Sequence, residues 1–327
     1  MSDQSHLNPS GIRGELRDNE PMSRHVSWRA GGTAHRFFKP ADLADLRAFL
    51  PTLPPEEAIL FVGLGSNLLV RDGGFNGTVI LTTPLLSGLA MGDAPYSVDA
   101  GAGVPSPHVA KFAARNHCAG AEWLAGVPGT IGGALAMNAG CYGTETWEQI
   151  VQCTTIDRQG VLHTRTSVDF EIGYRHVEFK VRGEERGAKR GSVPPTPHAP
   201  PLTSYPEEWF VAARFQFAAG DASTAQARIK ELLAKRMAAQ PLDKPNAGST
   251  FRNPPGDHAA RLIESCGLKG HTIGGAQVSM KHANFIINLG NAKAADIESM
   301  IDHMQATVQA KTGVELVREV RIVGASA

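Results

Sequence analysis

Cysteine is scarce. Cys118, Cys141, Cys153 and Cys266 are the four in 327 residues, and no two stand at C-x-x-C spacing. That pattern supports neither a disulfide framework nor a structural zinc site, so no metal is expected, and it fits a reducing, cytoplasmic setting. Neither sign of charge is in excess, with 32 Lys plus Arg against 32 Asp plus Glu, and no basic stripe runs along the chain. Nucleic-acid binding therefore lacks its electrostatic footprint. No apolar run approaches the ~20 residues needed to cross a bilayer. Residues 1–20 are polar with few apolar anchors, which reads as a disordered tail and not as a signal peptide. No segment stands out as a subunit interface, and a monomer is the expectation.

Glycine, by contrast, is plentiful at 35 residues, and much of it is clustered. Clustered glycine lets backbone approach a ligand closely. Gly63-Leu64-Gly65-Ser66-Asn67 follows the apolar strand Ile59-Leu60-Phe61-Val62. Its exposed amides suit a pyrophosphate, although Leu68 stands where a dinucleotide fingerprint needs a third glycine, and a plain strand-exit turn fits equally well. Gly126-Val127-Pro128-Gly129-Thr130-Ile131-Gly132-Gly133, continuing to Asn138-Ala139-Gly140, is too dense in glycine for turns alone. It allows a flat or phosphate-bearing ligand to lie on the backbone; tight packing of a small-residue helix is the alternative.

Three polar side chains point to chemistry. Ser249, in Gly248-Ser249-Thr250-Phe251-Arg252-Asn253-Pro254, has no histidine nearby to act as its base. Next to a fixed cation and an amide, it reads as a proton donor in a polar loop; an ordinary Ser/Thr turn is the alternative. Arg175, after Tyr174, offers fixed donors to an enolate or carboxylate. Glu319 lies among valines in Val314–Val323, read as a terminal strand, and a part-buried acid needs a reason such as an arginine partner.

Periodicity gives helices over 41–50, 222–239, 259–266 and, on Asp296, Ile297, Met300, Ile301, Met304 and Val308, one more closed by Gly313. A hairpin is read around Asp157-Arg158-Gln159-Gly160, and a strand over 209–217. Residues 182–206, rich in Gly, Pro and charge, read as a mobile insertion.

Taken in order, Trp28-Arg29-Ala30-Gly31-Gly32, the two glycine loops, Tyr174-Arg175, the Ser249 heptapeptide, Gly275-Ala276-Gln277-Val278-Ser279 and Glu319-Val320-Arg321 resemble the UDP-N-acetylenolpyruvoylglucosamine reductase family, in its shorter subtype. The resemblance covers the chain from about His25 to Gly324. It implies an α+β protein: a two-subdomain FAD-binding fold of the vanillyl-alcohol-oxidase/PCMH type plus a smaller α/β substrate-binding domain. Residues 21–85 with 313–327 would form the first subdomain, 86–238 the second, and 239–312 the substrate domain. It implies bound FAD, NADPH as co-substrate and a UDP-sugar substrate whose enolpyruvyl group is reduced. Cofactor contacts would come from Gly63, Gly65, Ser66, Asn67, Gly126, Pro128, Gly129, Thr130, Gly132, Gly133, Asn138 and Gly140. Arg175, Ser249 and Glu319 would be catalytic. Asn253 and His282 are candidate substrate contacts. Arg236 is a candidate for the diphosphate, with a solvated helix-end cation as the alternative. Val317-Arg318 replace the Glu-Pro usual before the acid, and Arg252 replaces a usual Lys. An oxidase of the same flavin-binding fold, or a non-catalytic flavin or nucleotide-binding module, are the competing readings. An oxidase has no use for a proton donor at Ser249.

Overall fold

A computed structural model describes residues 11–83, 86–180 and 207–327. The expected insertion at 182–206 lies outside the described residues, as do residues 1–10. Part of the expected tail is in fact a strand. Glu15–Pro21 runs antiparallel to Thr33–Lys39, with Glu15 opposite Lys39 and Pro21 opposite Thr33. Its polar composition disguised it, because Glu20 is buried against Arg17 and His25 and one strand face stays wet. Phe75–Leu81 adds in parallel, and Ile59–Val62 joins it in parallel to complete four strands. Helix α1 (Leu43–Phe49) crosses between them, its first turn closed by Asp42, whose carboxylate accepts the Asp45 amide at 2.9 Å.

The second unit is an antiparallel sheet of five strands in the order Leu162–Arg165, Ile150–Asp157, Glu208–Gln216, Ser97–Gly101, Leu89–Met91. The expected hairpin is there, with Ile156 opposite Leu162. Helices α2 (Ser106–Arg115), α3 (Ile131–Ala136) and α4 (Ala222–Ala239) complete it. α4 has the expected limits: Asp221 accepts the Thr224 amide at its start, and Pro241 follows its end. The two units share one apolar seam, in which Phe38, Leu46, Phe49 and Ile80 meet Ala102, Ile156 and Val211.

The third unit sets α5 (Ala259–Ser265) and α6 (Ala294–Thr312) on a small sheet of Thr272–Ile273, Ala276–Val278 and Ile286–Asn288. Ile297, Met300, Ile301, Met304 and Val308 are all buried, so the methionine stripe is core. Gly313 ends the helix at φ 74°, the left-handed cap that glycine adopts without strain.

The terminal strand is shorter than its alternation suggests. Only Arg321–Val323 forms a strand, in parallel with Leu68–Val70 of the first unit, while Arg318 makes an isolated bridge to Phe251. Upstream, the backbone is occupied otherwise: Arg252 donates its amide to the Val317 carbonyl, and Glu319 donates to the Thr250 carbonyl. Those bonds bring Glu319 to the serine loop instead of into a ladder.

Trp28 docks the third unit on the first. It is fully buried, its indole N–H donates to the Ile286 carbonyl at 2.8 Å, and its own carbonyl accepts the Asn288 side-chain amide at 2.8 Å. Trp28→Ala is expected to lower stability by about 3–5 kcal/mol, measured by urea unfolding at constant m-value.

Candidate active site

All three units contribute walls to one cavity of about 210 Å³. The first wall is the loop 63–67. Gly65 sits at φ 58°, and a Cβ there would lie 2.3 Å from the His25 carbonyl oxygen. Glycine is required on both counts. The Ser27 amide anchors the loop by donating to the Gly65 carbonyl at 3.1 Å. The second wall comprises Val127, Pro128, Gly129, Thr130, Gly133, Ala136, Met137, Ala139 and Gly140, with Gly63 pressed against Thr130. Along both walls the amides of Leu64, Gly65, Ser66, Asn67, Gly129 and Gly133 donate to no protein acceptor among the described residues. Unpaired amides converging around a left-handed residue make a concavity for anions.

The third wall carries the polar side chains. Ser249 lines the cavity with Ala247 and Gly248, and its hydroxyl makes no hydrogen bond among the described residues. The loop behind it is clamped by buried Asn284. The Asn284 carbonyl accepts the Thr250 amide at 2.8 Å, and its side chain accepts from the Phe251 amide at 3.0 Å and donates to the Phe251 carbonyl at 2.8 Å. Nothing in the sequence singled out Asn284.

Arg175 and Glu319, 144 positions apart, meet here: Arg175 Nε donates to Glu319 Oε1 at 2.8 Å. Arg175 Nη1 and Nη2 donate to the carbonyls of Asn138 and Gly140 at 3.1 and 3.0 Å. Its guanidinium also lies 5.1 Å from the Tyr174 ring centroid. Burial pushes the Glu319 carboxyl above its ordinary range, while the charges of Arg175 and Arg252 pull the other way. Arg321 lines the cavity as well, a site residue that the sequence reading treated only as a possible partner for Glu319.

Other expected contacts are placed differently. Asn67 lines the cavity, yet its side chain donates to the Glu319 carbonyl at 3.1 Å, tying the first wall to the third. Gly126, Gly132 and Asn138 are not among the lining residues. A Cβ on Gly126 would meet Cys141 Sγ and Tyr142, and one on Gly132 would meet Ala102, so packing requires glycine at both. Asn138 braces the backbone beside Arg175: its amide donates to Glu145 Oε2 and the Gly173 carbonyl, and its side-chain oxygen accepts the Trp147 amide. Arg236, Asn253 and His282 do not line the cavity either. Asn253 Oδ1 accepts the Ala259 amide at the start of α5. His282 Nδ1 accepts the Asn284 amide, and burial pushes that imidazole's pKa down. One polar atom of each is engaged by local backbone, a competition that spacing alone does not reveal. Arg236 is half-buried beside Cys141 and Tyr142, has no carboxylate partner among the described residues, and has its pKa pushed down by burial.

A curated protein of Thiobacillus denitrificans named UDP-N-acetylenolpyruvoylglucosamine reductase is 53% identical over 325 aligned positions, covering 96% of this chain and 93% of the relative. The chain belongs to the UDP-N-acetylenolpyruvoylglucosamine reductase family. A namesake from Nitrosospira multiformis is 52% identical, covering 98% of this chain and 92% of the relative. The crystal structure of a family member from Thermus caldophilus superposes with a TM-score of 0.71 at 28% identity, over 95% of this chain and 99% of that one. The model of the family's C-terminal domain matches residues 240–323, and that of an FAD-binding domain matches 34–165. The fold is thus the two-subdomain FAD-binding architecture of the vanillyl-alcohol-oxidase/PCMH type with a third, C-terminal domain.

The lining of the cavity suits FAD. The unpaired amides of the two loops suit its diphosphate, and Gly133 keeps room for it: a Cβ there would touch nothing, projecting into the open cavity. Gly133→Leu is expected to weaken FAD binding about 10-fold or more by filling that space, with the unfolding transition of the flavin-free protein unchanged. Flavin fluorescence titration checks it.

Proposed function

We infer that the protein reduces the enolpyruvyl group of UDP-N-acetylglucosamine enolpyruvate to give UDP-N-acetylmuramate, with FAD as resident cofactor and NADPH as co-substrate, in peptidoglycan precursor synthesis. The observation that carries this reading is the convergence of Ser249, Arg175 and Glu319 on the wall facing the glycine loops of one cavity.

When bound, FAD would supply the hydride-transfer chemistry that links NADPH to C3 of the substrate double bond. The amides of the two loops hold the diphosphate. Ser249 gives its hydroxyl proton to C2, the neighbouring carbon. Arg175 has five N–H donors, of which three are engaged by Glu319, Asn138 and Gly140. The remaining two address the substrate carboxylate, where negative charge grows as the intermediate becomes enolate-like. Glu319 accepts from Arg175 through Oε1, and its carboxyl, which burial shifts toward the protonated form against the pull of Arg175 and Arg252, donates to the same growing charge when protonated. Arg236, partly desolvated and without a carboxylate partner among the described residues, receives the substrate diphosphate. Asn253 and His282 support the loops that frame the site.

Glu319 sets a pH dependence. A carboxyl with raised pKa stays protonated above the usual range, so substrate reduction falls as pH rises through that value. The pH profile of the single-turnover rate should show this limb above the ordinary glutamate range, and Glu319→Gln, always uncharged, should remove it.

Among the described residues no helix is long and apolar enough to cross a membrane. A monomer acting in the cytoplasm on a UDP-sugar, without nucleic acid, completes the proposal. The visible spectrum tests the whole: a yellow protein, bleached by NADPH and recoloured by the enolpyruvyl sugar nucleotide under anaerobic conditions. A colourless protein that takes up no FAD, or bleached flavin that this substrate does not reoxidise, would reject it.

A further inference from the structure

Arg252 stands out because the cavity does not use it. It is half-buried, three residues after Ser249, and absent from the lining that includes Ser249, Arg175, Glu319 and Arg321. Its Nη2 nevertheless donates to the backbone carbonyl of Arg175 at 2.9 Å. Arg175 sits at φ 56°, in the left-handed region that non-glycine residues enter only when their surroundings hold them there. Arg252 itself is fixed from both sides. Its amide donates to the Val317 carbonyl at 2.9 Å, and the preceding Phe251 bridges to Arg318. The residue after that bridge is Glu319.

Arg252 Nε is buried without a hydrogen-bond partner among the described residues. A desolvated cation with an idle donor is unfavourable for the fold by itself, which calls for another explanation of its presence. Its bond to the Arg175 carbonyl supplies one, and its charge adds a bias on the neighbouring acid. The groups that act on the Glu319 carboxyl are Arg175 and Arg252; Arg321 in turn faces Arg252 and Glu178. Arg252 thus stands behind the catalytic wall, in contact with the backbone of one functional residue and within the field of another.

We propose that Arg252 is a positioning residue for the substrate-reduction step: it holds Arg175 in its left-handed conformation and adds a second positive charge beside Glu319. The inference rests on the functional reading above. A lysine, usual at this position in the resembled family, would keep the charge but not the planar fork that reaches the Arg175 carbonyl.

The test compares Arg252→Met and Arg252→Lys as FAD-loaded enzymes, with flavin content and thermal unfolding as checks of folding. In Arg252→Met, flavin reduction by NADPH should stay within about twofold of the parent, while kcat for reduction of the enolpyruvyl substrate falls about 10–100-fold. KM for that substrate should barely change, since Arg252 does not line the cavity. The limb assigned to Glu319 should move to higher pH, because a cation that favours its ionised form is gone. Arg252→Lys should restore the limb and only part of the rate. Titration of Glu319 in the substrate-free enzyme, by carbon NMR with isotope-labelled glutamate and Glu319→Gln for assignment, should show the same upward shift in Arg252→Met.

An unmoved titration of Glu319 together with an unchanged kcat would overturn the proposal. So would a rise in KM with kcat intact, which would make Arg252 a substrate-binding cation. If the parent is not reoxidised by the enolpyruvyl substrate, the functional reading fails separately, while the titration still decides whether Arg252 acts on Glu319.

Discussion

Ser249→Ala is expected to leave flavin reduction by NADPH within about twofold of the parent and to slow reoxidation by the enolpyruvyl substrate by about 10²–10⁴-fold, the usual range for a positioned acid. The two half-reactions separate because only the second needs a proton on carbon. Ser249 lines the cavity with a hydroxyl committed to no protein acceptor, and the loop beneath it is held by Asn284 through bonds to Thr250 and Phe251 that use backbone and not the serine. Removing one oxygen therefore leaves the loop where it is. Stopped-flow absorbance of each half-reaction measures the effect. Equal slowing of both would show that the serine shapes the flavin site and is not the proton donor; an unchanged second half-reaction would remove it from the chemistry.

Arg175→Lys is expected to lower the rate of substrate reduction by about 10²–10³-fold, the size seen when one oxyanion-stabilising donor is lost, with flavin still bound. Arg175 makes three bonds of different direction, to Glu319 Oε1 and to the carbonyls of Asn138 and Gly140. A lysine ammonium, a compact charge on a flexible stem, cannot meet all three and still face a carboxylate. The loss should appear in kcat, because the interaction strengthens as charge grows on the substrate. Loss of FAD in place of slower turnover would make Arg175 a structural residue. Arg175→Ala should be worse for stability than Arg175→Lys, since it leaves the Glu319 carboxyl partly buried without its nearest cation.

Much of the local architecture was legible in the chain. α4 and the closure of α6 by Gly313 follow from periodicity and caps, which depend only on near neighbours. The glycine loops were legible as places of close backbone approach for the same reason, and they line the cavity: Gly65 at φ 58° and Gly133 with open space at its Cβ are backbone properties that residue type announces. Where the reading went astray, the competing cause lies elsewhere in the fold. Glu15–Pro21 looked like a tail because its charges find partners only after Thr33–Lys39 lies beside it. The terminal strand lost its first residues because the serine loop claims the Val317 carbonyl and the Glu319 amide. Gly126 and Gly132 look like ligand glycines, and the fold adds a packing reason for both in Cys141, Tyr142 and Ala102.

The order of motifs along the chain determined the family and the flavin and put forward the serine, arginine and acid as candidates, because residue type and short spacing set what a side chain can donate, accept or leave open. Only the folded structure decided that Arg175 and Glu319 touch, that Asn253 Oδ1 and His282 Nδ1 accept backbone amides, and that Arg252 stands behind the wall instead of in it. Those outcomes depend on distances between segments far apart in sequence and on which groups lose their water, and both exist only once three separate cores have packed around one cavity.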